Sequence, residues 1–244
     1  MICGLCLTDV PRLVESHIVP KAIATDAQGD DGFSMIVGSA SETHPKRVQT
    51  GIYSLIVCAP CEKSFQEDDD LLIAAWRALP TAPAVWSGKA TELIEFDGGK
   101  LQRSLLTVLF RAHLSQHGFY RHVILGPHAE PLRRYVRGER KEVPAQFSIV
   151  LRHVPTDFGG MTLSPKAFRL CGANTYNIYL PHVIATVKVD RKAWPKALDG
   201  LALTAGDAPL ALRSERLNPQ EMVAGFKLAE ENSCILDRKF RGND

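Results

Sequence analysis

The sequence predicts an α+β fold: a small N-terminal zinc-held module, a helical middle and a β-rich antiparallel C-terminal part. Three observations predict it. Two CxxC pairs, Cys3–Cys6 and Cys58–Cys61, bracket the N-terminal region. The stretch Leu101–Gln116 repeats apolar residues at helical spacing. Phe147–Val154 and Asn177–Val189 are rich in β-branched residues.

The bulk properties bound the reading. A chain of 244 residues fits one large domain or two modest ones. Hydrophobic residues at 45% and charged residues at 23% make it a globular chain and exclude a disordered tail. Its 29 cations nearly balance 27 anions, so attraction to nucleic acid must come from local patches. No apolar run approaches the roughly 18 residues of a membrane span. Met1-Ile2-Cys3-Gly4 lacks the charged and apolar regions of an export signal, and a cytoplasmic location is expected. There thiols stay reduced, and clustered cysteines hold metal more often than disulfides.

The expected modules are residues 1–80 and 81–244, with a boundary near 80 or 100. Gln28–Arg47, rich in Gly, Ser, Asp and Thr, reads as an inserted loop. A helix is expected from near Cys61 through the alanine-rich stretch 71–79, stopped by Pro80-Thr81-Ala82-Pro83. The acidic run Glu67–Asp70 lies on it and reads as a solvated face, because adjacent helical residues do not converge. Leu101, Leu105, Val108, Leu109 and Ala112 give the next helix one apolar face. Strands follow, and a last helix begins at Asn218-Pro219-Gln220-Glu221 with a capping side chain and an early proline.

The cysteines carry the strongest chemical signal. Two-residue spacing lets both thiolates of a turn reach one ion. Cys3, Cys6, Cys58 and Cys61 together close a tetrahedral shell without an open position, the mark of structural zinc. Gly4 permits the tight first turn and Pro60 stiffens the second. The alternative is two pairs of unrelated buried cysteines. Cys171 and Cys234 stand alone and read as core residues or free thiols.

Between the pairs runs Val14-Glu15-Ser16-His17-Ile18-Val19-Pro20-Lys21, and Glu62 follows the second pair directly. On these residues the first 70 positions resemble the HNH (treble-clef, ββα-metal) nucleases. They also resemble bacterial and phage proteins with a Ser-His-Ile-x-Pro-Lys core and a second CxxC-Glu knuckle. The resemblance implies a metal-dependent nuclease acting on nucleic acid, with a role in phage–bacteria conflict. It makes His17 the general base that takes a proton from the attacking water. It puts Glu62 and Ser16 on a catalytic Mg²⁺ or Mn²⁺, with Glu15 as a substitute ligand. Tyr53 falls where the family has an asparagine that orients the histidine. The alternative is a non-catalytic zinc-stabilised module that binds nucleic acid or a protein partner.

Read on their own, His17 is also a buried imidazole supporting its loop or a direct nucleic-acid contact, and Glu62 a carboxylate at a helix start. Further along, Arg133, Arg134, Arg137, Arg140 and Lys141 surround Tyr135, a spacing suited to successive phosphates or to a solvated helix end. Arg111 could reach a phosphate or pair with an internal carboxylate. His113 and His117 stand four apart but lack a third ligand, so packing or surface roles are favoured.

Overall fold

The computed structural model describes residues 1–26, 28, 32–37, 46–78, 90–93, 96–153, 161–163, 165–170, 172–180, 183–194, 198, 200–204 and 210–214. It is a mixed fold of helices and mainly antiparallel sheet with an N-terminal four-cysteine cluster. The last helix expected at Asn218, the stop at 80–83, Cys171 and Cys234 lie outside the described residues.

The N-terminal part is a hairpin followed by a helix. Strand β1 (Val14–His17) pairs antiparallel with β4 (Tyr53–Val57), and α1 (Lys21–Asp26) lies in the connection between them, just after His17. Helix α2 (Ala59–Ser64) begins directly after β4, with Cys58 as its cap and proline in its first turn. The expected single helix is in fact two. The helix is interrupted at Phe65, whose buried ring lies under the Arg111 guanidinium, and α3 (Gln66–Arg77) follows directly. The stretch read as an inserted loop also differs. It contains β2 (Ser34–Val37) and β3 (Lys46–Val48), which form a small sheet with the distant β7 (Met161–Leu163). A parallel β2–β7 pairing leaves no local pattern to read.

Helix α4 (Gly98–Leu114) is capped by Asp97, whose carboxylate accepts from Lys100 N at 2.8 Å. It carries more than one buried face: Gln102, Ser104, Thr107 and Arg111 are buried along with its leucines. A helix buried on most sides sits at the centre of the core. Against it pack α3 and α5 (Ala129–Val136), and its buried residues share one hydrophobic cluster with those of a six-stranded sheet. That sheet runs β5 (Ala90–Leu93), β11 (Leu210–Ser214), β6 (Phe147–His153), β10 (Val183–Val189), β9 (Ala173–Leu180), β8 (Lys166–Leu170). All its pairings are antiparallel except β11 with β6. Buried residues from the cysteine turns, α4 and the sheet form one continuous cluster, so the core does not part near residue 80 or 100.

The acidic run is not a solvated face. Glu67 and Asp70 are exposed, but Asp68 is buried between Arg103 Nε at 3.1 Å and Thr107 Oγ1 at 2.9 Å. Asp69 takes both terminal nitrogens of Arg111. Adjacent helical residues diverge, as expected, yet two of them diverge toward α4. Arg103 also donates to the Tyr135 and Val136 carbonyls, closing the end of α5.

Candidate metal centre and adjoining cleft

The two cysteine turns are brought together by backbone, before any metal is considered. Cys3 N donates to Thr8 O, Leu7 N to Cys3 O, and Gly4 N to Ile56 O on β4. Gly4 is needed for this close approach: a Cβ there would meet Leu114 Cδ1 at 2.7 Å and Ile56 O at 2.9 Å. The left-handed residue of the turn is Leu7, with φ 58°. On the other side Cys58 N donates to Cys3 Sγ at 3.3 Å.

All four thiols are free, and their sulfurs lie within 4.8 Å of one another. Cys6 Sγ and Cys58 Sγ are 3.9 Å apart. A tetrahedral zinc with bonds of about 2.3 Å requires sulfurs roughly 3.8 Å apart, so the geometry fits with small adjustments. Burial pushes the Cys58 and Cys61 thiols up, whereas the Thr8 hydroxyl brings Cys6 down to about 6. Such a buried thiol set gives up its protons to a soft divalent cation. The cluster can hold a metal ion such as zinc.

Beside it opens a cleft of about 600 Å³ between β1, α1, α2 and α3. Glu15, His17, Lys21, Glu62, Lys63 and Asp69 face it, so residues from both ends of the cysteine module meet there. His17 is half-buried, and its pKa is lowered by burial and then by the Lys21 and Arg111 charges; Asp69 and Glu15 oppose this. The imidazole is therefore neutral at neutral pH. Burial raises Glu62, and Asp69 adds to that; the nearby Ser16 hydroxyl and the Arg111 charge pull the other way. Ser16 lies on the strand's inner face, fully buried.

Three polar atoms around this cleft are buried without a hydrogen bond among the described residues: Ser16 Oγ, Glu62 Oε2 and Arg111 Nε. Two are oxygen donors of the kind a hard cation takes. Tyr53 meets His17 ring to ring, with centroids 5.9 Å apart at 57°. Among the described residues, only the four cysteines bring three or more metal-binding side chains into a single cluster.

The basic segment divides. Arg133 is a buried brace rather than a surface cation: it donates to both Glu130 oxygens, to Glu139 and to the Leu5 carbonyl at 2.9 Å. It ties α5 to the first cysteine turn. Arg134, Arg137, Arg140 and Lys141 stay exposed at the end of α5. Arg134 and Arg137 share the single Glu139 carboxylate at 3.7 and 3.0 Å. His113 and His117 serve local backbone, facing Val123 O and Phe119 N.

Sequence reading leaves Arg111 between a phosphate and an internal carboxylate, and the structure gives it the carboxylate of Asp69, a residue that the same reading places on a solvated face. Their partnership joins two helices, and no local spacing announces it.

Fold and site together define an α+β protein with an N-terminal four-cysteine cluster suited to a metal ion such as zinc. No protein-family model matches the chain, and neither a curated protein nor a solved structure matches it.

Proposed function

We propose that the chain is a zinc-stabilised, HNH-like metal-dependent nuclease. The observation that carries this reading is the meeting of His17 and Glu62 in one cleft, on a hairpin and the helix that follows it, beside the four cysteines. A neutral imidazole facing solvent is a competent acceptor for a proton from water. Glu62 Oε2 is an oxygen ligand that suits Mg²⁺ or Mn²⁺, with the Ser16 hydroxyl near it and the exposed Glu15 carboxylate on the cleft wall as a substitute. A divalent ion held there would neutralise charge on the scissile phosphate and the leaving oxygen. Lys21 and Lys63 at the mouth would hold flanking phosphates, and Arg134, Arg137, Arg140 and Lys141 would extend contact with nucleic acid.

A second reading is a zinc-stabilised module that binds nucleic acid or a protein partner without catalysis. It is favoured by Tyr53 in the position of an orienting asparagine, and by the cleft oxygens not being gathered into one cluster.

Incubation of plasmid and single-stranded DNA with Mg²⁺ or Mn²⁺ separates the two. The nuclease reading expects cleavage that His17→Ala lowers by about a hundred- to ten-thousand-fold, the range for a lost general base. Absence of metal-dependent cleavage on any nucleic acid would defeat it.

A further inference from the structure

The first cysteine turn is tied down by a helix that lies 128 residues further along the chain. Arg133 on α5 carries five N–H donors in a rigid planar fork, and each of them is taken. Nε and Nη2 donate to Glu130 at 2.7 and 2.9 Å, and Nη1 and Nη2 to Glu139 at 3.3 and 3.1 Å. The other Nη1 hydrogen goes to the Leu5 carbonyl at 2.9 Å. A guanidinium filled in this way has one place and one orientation. Its charge is answered by the two carboxylates, so what it gives the cysteine turn is position.

Leu5 stands directly before Cys6, and its carbonyl oxygen lies in one peptide plane with the N and Cα of Cys6. Holding that oxygen fixes the direction in which Cys6 leaves the turn. The other ligands have anchors of their own. Cys3 has backbone bonds to Thr8 and Leu7, and its sulfur accepts from Cys58 N at 3.3 Å. Cys58 and Cys61 are carried by the start of α2, directly after β4. Cys6 is the least buried of the four. Among the described residues, its carbonyl meets the Thr8 hydroxyl alone, at 3.5 Å, too long for a firm bond.

We propose that Arg133 is a positioning residue of the metal centre: through the Leu5 carbonyl it sets the peptide plane that carries Cys6 to the ion, and it does so before metal binds. This rests on the zinc part of the function proposed above and is independent of catalysis. A ligand placed in advance has less freedom to lose on binding, which tightens the complex. Supports of this outer kind are commonly worth about ten- to a hundred-fold in metal affinity.

The test reads zinc affinity of the full chain by competition with a chromogenic chelator. Glu130 and Glu139 both reach solvent, so Arg133→Met buries no unpaired charge and the fold should persist. Leu132→Ala is the control: it opens a cavity in the same helix while the bond to Leu5 stays. Arg133→Met is expected to hold zinc about ten- to a hundred-fold more weakly, and Leu132→Ala about as tightly as wild type. Limited alkylation of the zinc-loaded Arg133→Met chain, read by mass spectrometry, should label Cys6 ahead of Cys3, Cys58 and Cys61. Labelling that begins at Cys58 or Cys61 overturns the inference. So does an equal loss of affinity in Leu132→Ala, which would be lost stability and not lost position. Should Arg133→Met fail to fold, the metal-free wild type decides. Its Leu7 amide, bonded to the Cys3 carbonyl at 2.9 Å, should stay protected from hydrogen exchange, and free exchange there overturns the inference. A wild type that takes up no zinc sinks the zinc reading itself; zinc held equally by wild type and Arg133→Met sinks only this one.

Discussion

Arg111 carries a full charge to a place where its side chain has no exposure, and Asp69, 22% exposed, answers it with both carboxylate oxygens. The two partners are not equivalent. Asp69→Asn strands a cation that water cannot reach, and should cost about 3–5 kcal/mol. Arg111→Met keeps the packing over Phe65 and leaves a carboxylate that water can still reach, for a smaller loss of about 1–3 kcal/mol. Urea unfolding of both variants checks the order; an equal or inverted ranking would remove Arg111 as the buried member of the pair. His17 gives a pH dependence of defined sign. Its folded pKa is lowered, so the unfolded chain binds a proton first as pH falls below the ordinary 6.5. The stabilisation is complete above that value and drains away as pH drops through the folded pKa. Wild type should lose stability relative to His17→Gln on acidification below about 6.5, measured without added Mg²⁺ or Mn²⁺. Glu62 is raised and has the opposite sign, with stability present below its ordinary 4.5 and lost as pH rises through its folded pKa. Repeating the comparison in Glu62→Gln separates the two.

At the scale of elements, the first cysteine turn, β4 and α4 share one narrow contact at Gly4. Leu114 is a side-chain end and can swing aside, but the Ile56 carbonyl is backbone and already accepts from Gly4 N. Gly4→Ala therefore has to push the turn off β4. The expected loss is about 1–3 kcal/mol, with faster zinc release to a chromogenic chelator. Release at the wild-type rate would show that the turn does not depend on this approach. The same contact shows what the sequence disclosed and what it withheld. The spacing Cys-Gly-Leu-Cys announced the turn, but Gly4 owes its place to a strand and a helix distant in the chain. Helix α4 was legible because its leucines repeat every three or four residues, and β6, β9 and β10 because β-branched residues run together. Burial of Thr107 and Arg111 was not, since polar residues on a helix turn inward only when a neighbour such as α3 supplies carboxylates. His17 and Glu62 were legible as candidates from the Ser-His-Ile-x-Pro-Lys stretch between the CxxC pairs and from the position directly after the second pair. The exposure of Tyr53 and the bracing role of Arg133 were not, because each depends on which surface folding leaves open.

For the whole molecule, the cysteine turns, α4 and the sheet belong to one buried cluster. Arg133 reaches the Leu5 carbonyl from α5, and Ser54 meets Ser115 Oγ to Oγ at 2.6 Å, so hydrogen bonds cross the same junction as the apolar packing. An ion bound only by the folded cluster stabilises whatever unfolds together with it. If the junction is as continuous as the packing indicates, removing the metal should lower the stability of the entire chain. Calorimetry of zinc-loaded protein should give one transition, and a high-affinity chelator, or Cys58→Ser, should shift that transition to lower temperature. Two transitions of which only the first responds to the chelator would mean that the cysteine module unfolds on its own. The packing of Leu5, Phe65 and Leu109 into one cluster argues against that outcome, because a free module would have to expose this surface to water at about 25 cal/mol per Å².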